Sequence, residues 1–376
     1  MLDLNEIRGK IDAIDGKIVK LFEERMAVCR EVAQYKIDTG KPVLDREREK
    51  QKIHALRAMA HGEFNARSME ELFTQIMAMS RKMQYQLLAE HGIVSDLPFE
   101  AVEKLEKQKV KVVFQGVEGA YSQAAMIQYF GETVDSYHVP EFALAMREVQ
   151  EGRADFAVLP IENSSAGMVA DVYDLLMEYD NAIVGECYLK VEHALLGLPG
   201  ASIEEIRTVY SHPQGLMQCA HYLDGHKTWQ RISLANTALS AKKVIQDQDK
   251  TQAAIASETA GKIYGLVPLD HRINDNKENT TRFIIVAAHK IYKTDAEKVS
   301  ICFEIAHESG SLYNTLSHMI FNGLNMTKIE SRPIPKRNWE YRFYVDFEGN
   351  LSDSAVQNAL LGLKQETGML KILGNY

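Results

Sequence analysis

Three changes in the pattern of the chain predict three domains of different class. From residue 1 to about 90, apolar side chains recur every three or four positions, which predicts an all-α helical segment. From Val110 to about 288, apolar runs of strand length alternate with helical patterns, which predicts an α/β segment. From 297 to 376 the order strand, helix, strand, strand, helix, strand is that of a small α+β ferredoxin-like (βαββαβ) module. A chain of 376 residues is too long for one core, so several domains are also the expectation from length. The boundaries read as 1–91, a linker over 92–109, then 110–288 and 297–376.

In the first segment Leu4, Ile7, Ile11, Ile14, Ile18, Leu21, Val28, Val32 and Tyr35 share one face of a long helix. Arg25 interrupts that row, and Lys36 lies eleven positions on along nearly the same face. Asp45 is a good N-cap for a second helix whose inner face reads Glu49, Ile53, Leu56, Ala60. A third helix, expected from about Met69 to Leu88, sets Ser80 and Gln84 in its apolar row. Buried charges are costly unless they pair with each other or with a ligand, so several on one inner face point to a ligand. Arg8 and Arg25 are seventeen positions apart, roughly 25 Å along a straight helix. Both cannot grip one small molecule from one chain, so an Arg8 in the site would come from a second subunit.

In the second segment, polar or Gly/Pro-rich stretches stand at four strand-to-loop junctions. They are Gly116–Ser122, Pro160–Gly167, Ser211–Gln214 and Asn279–Phe283. Ligands of α/β sheets bind where strands end, so four such junctions predict one cleft. The double-strand passage Val184–Leu198 reads as a crossover between two lobes flanking it. Gly116–Ser122 offers backbone amides at a helix start, an anion site, but its spacing is not G-x-G-x-x-G, which argues against NAD. A short charged stretch, Glu100–Lys109, calls for no chemistry.

Bulk properties narrow the function classes. A net charge of −9 argues against nucleic acid as the main partner. No apolar run approaches the roughly 20 residues of a membrane helix, the acidic start shows no signal peptide, and a cytoplasmic location is expected. Cys29, Cys187, Cys219 and Cys302 are far apart and read as reduced thiols, so no metal is expected. Basic residues on apolar helix faces of an acidic protein suit a small anionic substrate.

These residues carry resemblances. Arg8, Arg25, Lys36, Asp45, Arg48, Glu49, Ser80 and Gln84 stand where the all-helical chorismate mutase family has its chorismate-binding residues. The resemblance implies an interlocked dimer and a cofactor-free Claisen rearrangement of chorismate to prephenate. In it Arg8, Arg25 and Arg48 hold carboxylates, Lys36 and Gln84 donate to the ether oxygen, and Glu49 binds the ring hydroxyl. The second segment resembles prephenate dehydratase through Gly116–Ser122, Pro160–Ser164 with Gly167, Ser211–Gln214, Ala253–Ala256, and Asn279 with Thr281-Arg282-Phe283. Asn236-Thr237-Ala238 fits the family's Thr-Ala-rich loop less closely. The implied reaction removes water and carbon dioxide from prephenate to give phenylpyruvate.

On that reading Thr281 is the essential donor to the leaving hydroxyl, and Glu162 and His212 are the titratable candidates. Ser122, Asn163, Ser164 and Arg282 position the substrate. His212 reads equally as a structural histidine beside Pro213, and Arg282 equally as a structural ion-pair partner. The last segment resembles the amino-acid-binding ACT module. Glu330-Ser331-Arg332-Pro333 matches its phenylalanine-responsive form, and Gly310-Ser311-Leu312 stands where Gly-Ala-Leu is usual. Together the resemblances imply a bifunctional enzyme of L-phenylalanine biosynthesis, feedback-inhibited by L-phenylalanine and assembled as a homodimer or higher homo-oligomer. Two rival readings are a non-catalytic sensor, and a dehydratase acting on arogenate whose helical segment only dimerises the chain.

Overall fold

Asp3 starts the first helix by accepting from the Asn5 amide, and α1 then runs unbroken over Leu4–Thr39 until Gly40 closes it in the left-handed region. The computed structural model describes residues 3–93, 97–335 and 337–376. The predicted linker 92–109 therefore falls in part, at 94–96, outside the described residues. The chain divides into two compact units. One joins residues up to Leu97 with Glu297–Ile372, and the other holds Pro98–Ala296 with Leu373–Tyr376.

The first unit begins with α1, α2 (Arg46–Met59) and α3 (Glu63–Glu90). Asp45 caps α2 as expected, its carboxylate accepting from the Arg48 amide. α3 starts six residues before the predicted Met69, because Gly62, at φ +82°, turns the chain directly into it. That first turn and a half was illegible in the periodicity because its one large apolar residue, Phe64, is exposed and only the small Ala66 turns inward. The predicted stripe of α1 forms but is uncovered in the single chain: Leu4, Ile11, Ile14, Ile18, Leu21, Val28, Val32 and Tyr35 are all exposed.

The second unit carries two sheets. Its short strand β1 (Glu100–Val102) lies in the stretch read as a linker. Next come β2 (Lys111–Gln115), α4 (Tyr121–Phe130), β3 (Asp135–Val139), α5 (Phe142–Gln150), β4 (Phe156–Asn163), β5 (Gly167–Met168), α6 (Ala170–Glu178) and β6 (Ala182–Lys190). The chain then crosses to β7 (Ala194–Gly197), β8 (Thr208–Ser211), α7 (Pro213–Gln218), α8 (Ala220–Asp224), β9 (Gln230–Ser233), α9 (Thr237–Asp247), β10 (Gln252–Ala256), α10 (Glu258–Tyr264) and β11 (Val267–Asp270). It returns in β12 (Thr280–Ala287) and ends in β13 (Ile291–Lys293), which pairs with β1. One sheet of this unit runs β6-β12-β4-β2-β3 and the other β11-β7-β10-β8-β9.

Both sheets are mixed: β12 is antiparallel to β4 and β6, whereas β3, β2 and β4 are parallel. The predicted crossover is the β6–β7 step, and the Asp270–Thr280 step is its return. Each lobe has its own apolar core, one around Phe114, Val158 and Ile285, the other around Leu196, Ala254 and Ala256. The single helix predicted over Gln214–Leu223 is two, α7 and α8, interrupted at Cys219. There the Gln218 carbonyl turns aside to accept from the Asp275 amide at 2.7 Å.

The first unit is completed by β14 (Lys298–Glu304), α11 (Ser311–Phe321), β15 (Met326–Pro333), β16 (Tyr341–Glu348), α12 (Ser354–Glu366) and β17 (Met369–Asn375), whose end belongs to the second unit. The predicted βαββαβ order is present, with strands in the order β15-β16-β14-β17. α12 packs on α3 through a small core of Val43, Tyr85, Leu88 and Leu361. Among the described residues, no helix is long and apolar enough to cross a membrane.

Candidate active sites

The helical segment builds a pocket of about 240 Å³ from all three helices. α1 contributes Arg25 and Lys36, the α2 end contributes Asp45, Arg48, Glu49 and Lys52, and α3 contributes Ser80, Arg81 and Gln84. Every residue predicted for this site is here except Arg8, which is exposed on α1 away from the pocket. The side chains orient one another. Arg25 donates to the Ser80 hydroxyl at 2.5 Å, and Lys36 donates to the Val43 carbonyl at 2.6 Å and to Gln84 Oε1 at 3.1 Å. Two of the three Lys36 protons are thus engaged, leaving one for a ligand. Burial pulls the Lys36 pKa below its ordinary value, against the opposing pull of Asp45 and Glu49.

Five basic residues line this pocket against two acidic ones, in a protein of net charge −9. Of the five, only Arg81 has a carboxylate partner among the described residues: its Nη1 donates to both Glu49 oxygens, at 2.8 and 2.6 Å. Unpaired cations at the mouth of a half-buried pocket favour an anion of more than one charge.

The second unit has a different kind of cleft, about 480 Å³, lined from both lobes. Three helix starts converge on it: Ala120–Ser122 of α4, His212–Gly215 of α7 and Asn236–Thr237 of α9. None of the residues lining it is Lys, Arg, Asp or Glu. An anion there is met by backbone amides and helix dipoles rather than by a guanidinium. Gly119, at φ +84°, makes the α4 approach possible, since a Cβ there would stand 3.0 Å from Ala260.

At the centre of the cleft, Asn163 Nδ2 donates to Thr281 Oγ1 at 2.8 Å and to Asn279 Oδ1 at 2.8 Å. The Asn163 amide cannot be flipped, because its Oδ1 accepts from the Ser165 and Ala166 amides at 3.0 Å each. Thr281 Oγ1 therefore accepts from Asn163, and its own proton has no acceptor among the described residues. That proton is free for a ligand. A further chain stands behind Asn163: Gln218 Nε2 donates to its Oδ1 at 3.4 Å, Gln218 Oε1 lies 3.0 Å from His193 Nε2, and His193 Nδ1 lies 3.1 Å from the Tyr121 hydroxyl. Burial lowers the His193 pKa, keeping the ring neutral, and raises that of Tyr121.

The structure brings together Ser122, Asn163, His212 and Thr281 of the predicted set. His212 also caps α7, its Nδ1 accepting from the Gln214 amide at 3.2 Å, so the neutral ring carries its proton on Nε2; burial lowers its pKa. Three predicted residues do not line the cleft, and this corrects the expectation for them. Arg282 follows Thr281 in β12 and so points to the other sheet face. There Arg282 Nε donates to Glu186 at 2.7 Å and Nη2 to the Tyr376 hydroxyl at 2.7 Å, with Glu162 at 3.8 Å. Glu162 lies directly opposite Arg282 in the ladder and shares its face. Ser164 stands outside the cleft, its hydroxyl accepting from the Thr280 amide at 2.9 Å and clasping the β4 and β12 ends.

In the C-terminal module Gly310, Ser311 and Leu312 line a cavity of about 370 Å³ with Glu340, Tyr341 and Phe343. Glu330, Ser331, Arg332 and Pro333 lie on the edge strand β15 and do not line that cavity.

The chain is similar to known proteins over both of these regions. Residues 7–85 match the chorismate mutase type II family and residues 112–291 the prephenate dehydratase family. The bifunctional chorismate mutase/prephenate dehydratase of Escherichia coli K12 is 33% identical over 377 residues, covering 98% of this chain and 95% of that protein. The chain belongs to the bifunctional chorismate mutase/prephenate dehydratase family. Its Aquifex aeolicus counterpart is 32% identical, with 100% and 98% of the two chains covered. Among solved structures, a prephenate dehydratase from Arthrobacter aurescens in complex with L-Phe aligns with a TM-score of 0.66 and 29% identity. That alignment covers 71% of this chain and 89% of the other. GqqA, described as a novel type of quorum-quenching acylase, aligns at 0.65 and 31%, covering 71% and 97%.

The protein is thus a chorismate mutase and a prephenate dehydratase. Reading the residues alone left out Arg81 and Lys52 in the helical pocket and His193 and Gln218 in the two-lobed cleft. Arg81 follows Ser80 and could have been marked as one more charge near an apolar row. His193 and Gln218 carry no such sign.

Proposed function

We propose that the two pockets run consecutive steps, chorismate to prephenate and prephenate to phenylpyruvate, and that L-phenylalanine acts through an ACT-type C-terminal module. The observation that carries this reading is the pairing, in one chain, of a cation-lined pocket with an uncharged cleft at three helix starts. Each is lined by residues that its own resemblance names.

In the mutase pocket Arg25 and Arg48 take the carboxylates, and Arg8 of a second subunit completes the grip. The rearrangement breaks one C–O bond and forms one C–C bond without a proton transfer. The pocket therefore has only to hold the reactive conformer and stabilise the charge on the departing ether oxygen. Lys36 and Gln84 stand together for that task, and Glu49 accepts from the ring hydroxyl. The uncovered apolar stripe of α1 supports a homodimer, since eight exposed large apolar residues along one stripe need a partner surface.

In the dehydratase cleft the substrate carboxylates face the helix starts, and the Thr281 proton points at the leaving hydroxyl. Loss of carbon dioxide supplies the electron pair that makes the ring aromatic as the C–O bond breaks, and one proton converts the hydroxide to water. Thr281 donates a hydrogen bond to that oxygen, and His212, with its proton on Nε2, is a titratable group at the cleft beside the buried, neutral His193. Arg282 and Glu162 keep a structural role, holding β12 to its neighbours. In the C-terminal module Gly310–Leu312 form one wall of the effector site. The four cysteines are unbridged, which fits a reducing cytoplasm.

Purified protein given chorismate alone should produce transient prephenate, then phenylpyruvate, with phenylpyruvate formation suppressed by L-phenylalanine. Prephenate that accumulates without phenylpyruvate would favour arogenate as the dehydratase substrate. No turnover of chorismate, with phenylalanine binding intact, would favour a sensor.

A further inference from the structure

Arg81 belongs to two parts of the molecule at once. On the mutase side its Nη1 holds both oxygens of Glu49. On the other side Nε donates to Glu366 Oε1 at 2.6 Å and Nη2 to Oε2 at 3.4 Å, and Glu366 is the last residue of α12 in the C-terminal module. The second Glu366 oxygen lies 3.2 Å from His318 Nε2 of α11. The Arg81 and Glu366 side chains are each only 10% exposed, so this ion pair is desolvated and its geometry is stiff. Gly362 leaves room for His318, since a Cβ there would stand 2.5 Å from the imidazole. Two neighbouring contacts run the same way. Val43, whose carbonyl accepts from Lys36 Nζ, donates its amide to Gln365 Oε1 at 3.3 Å, and Arg46 Nη2 donates to the Glu366 carbonyl at 3.1 Å.

We propose that Arg81 is a positioning residue of the mutase site, and that Glu366 of the C-terminal module sets how strongly it holds Glu49. The inference rests on the mutase reading, in which Glu49 accepts from the ring hydroxyl of the substrate. A guanidinium bound to Glu49 alone would compete with that hydroxyl for the carboxylate. Shared with Glu366, the same guanidinium fixes the direction of the Glu49 carboxylate while giving part of its charge elsewhere. The C-terminal module is then part of the mutase, not an appendage to it.

The test is a double-mutant cycle in the full-length chain, with Arg81→Met and Glu366→Gln, reading mutase kcat and KM, dehydratase turnover of prephenate, and thermal unfolding. Glu366→Gln should lower mutase kcat/KM about tenfold, within the usual range for coupled sites, and leave dehydratase turnover unchanged. In the Arg81→Met background the same Glu366 change should have less than about a twofold effect, because the two residues act as a unit. A purely structural pair would lower the unfolding temperature and leave kcat/KM of the folded enzyme as it was, and that result overturns the proposal. Additive losses in the double variant would overturn it as well. If Glu366→Gln does not fold, Glu366→Asp keeps the charge but draws it back by one methylene, and a smaller loss of the same kind is expected. Wild-type protein without mutase turnover would remove the mutase reading itself, and this inference with it.

Discussion

Replacing Asn163 by Asp changes one atom of the dehydratase cleft from donor to acceptor. The loop survives the change, because the oxygen that accepts from the Ser165 and Ala166 amides is still present. Two donations at 2.8 Å are lost, to Thr281 Oγ1 and to Asn279 Oδ1. The Thr281 hydroxyl must then give its proton to the new carboxylate rather than to the substrate, reversing the direction on which the proposed chemistry depends. Loss of one aligned donor to a leaving oxygen costs about 2.7–4 kcal/mol of transition-state stabilisation, or about 10²–10³ in kcat. The ground-state cost is smaller, about 1–3 kcal/mol for the buried group left without a partner. The assay is steady-state formation of phenylpyruvate from prephenate, with mutase turnover as the internal control. Asn163→Asp and Thr281→Val should each lose most of kcat, their combination should lose little more, and the mutase should be untouched. Asn163→Asp within a few-fold of wild type would refute the orientation argument outright.

Two further outcomes follow from the same structure. Burial lowers the pKa of both His193 and His212, so the unfolded chain takes up protons that the fold refuses. Their contribution is intact above the ordinary histidine value of about 6.5 and is lost as pH falls below it. The Glu366 carboxyl, raised by burial but lowered further by His318 and Arg81, sits at about 2, so its contribution is lost only as pH falls from the ordinary 4.5 towards that value. Thermal unfolding against pH should therefore weaken the dehydratase unit first, and a flat profile from pH 7 to 5 would contradict this. For the mutase, chains carrying Arg8→Ala and chains carrying Lys36→Ala should each be inactive alone. Unfolded together and refolded as a mixture, they should recover about a quarter of wild-type turnover, because half the dimers are mixed and each has one intact site. No recovery would place Arg8 outside the site.

The mutase pocket was legible in the chain because helical periodicity makes a polar interruption visible. Arg25, Lys36, Ser80 and Gln84 fall in apolar rows, and the three helices bring them to one pocket. The impossibility of Arg8 and Arg25 sharing a ligand was likewise a matter of rise per residue. The two-lobed α/β pattern, its crossover and the βαββαβ order of the last segment could be read the same way, from runs and breaks of local pattern. Strand alternation also bears on the cleft: Thr281 and Arg282 are adjacent, so one of them had to leave it.

Other features had no local sign. Arg81 meets Glu366 across 285 positions, and no periodicity within a helix reports a partner on another element. Gln218 and His193 enter the cleft because a helix break and a lobe crossover place them there. The direction of the Thr281 proton depends on two backbone amides of the Ser165–Ala166 turn, which fix the Asn163 amide. Residue type and period are properties of the chain, whereas which donor faces which acceptor is settled when distant backbone segments pack and leave each buried polar group one way to be satisfied.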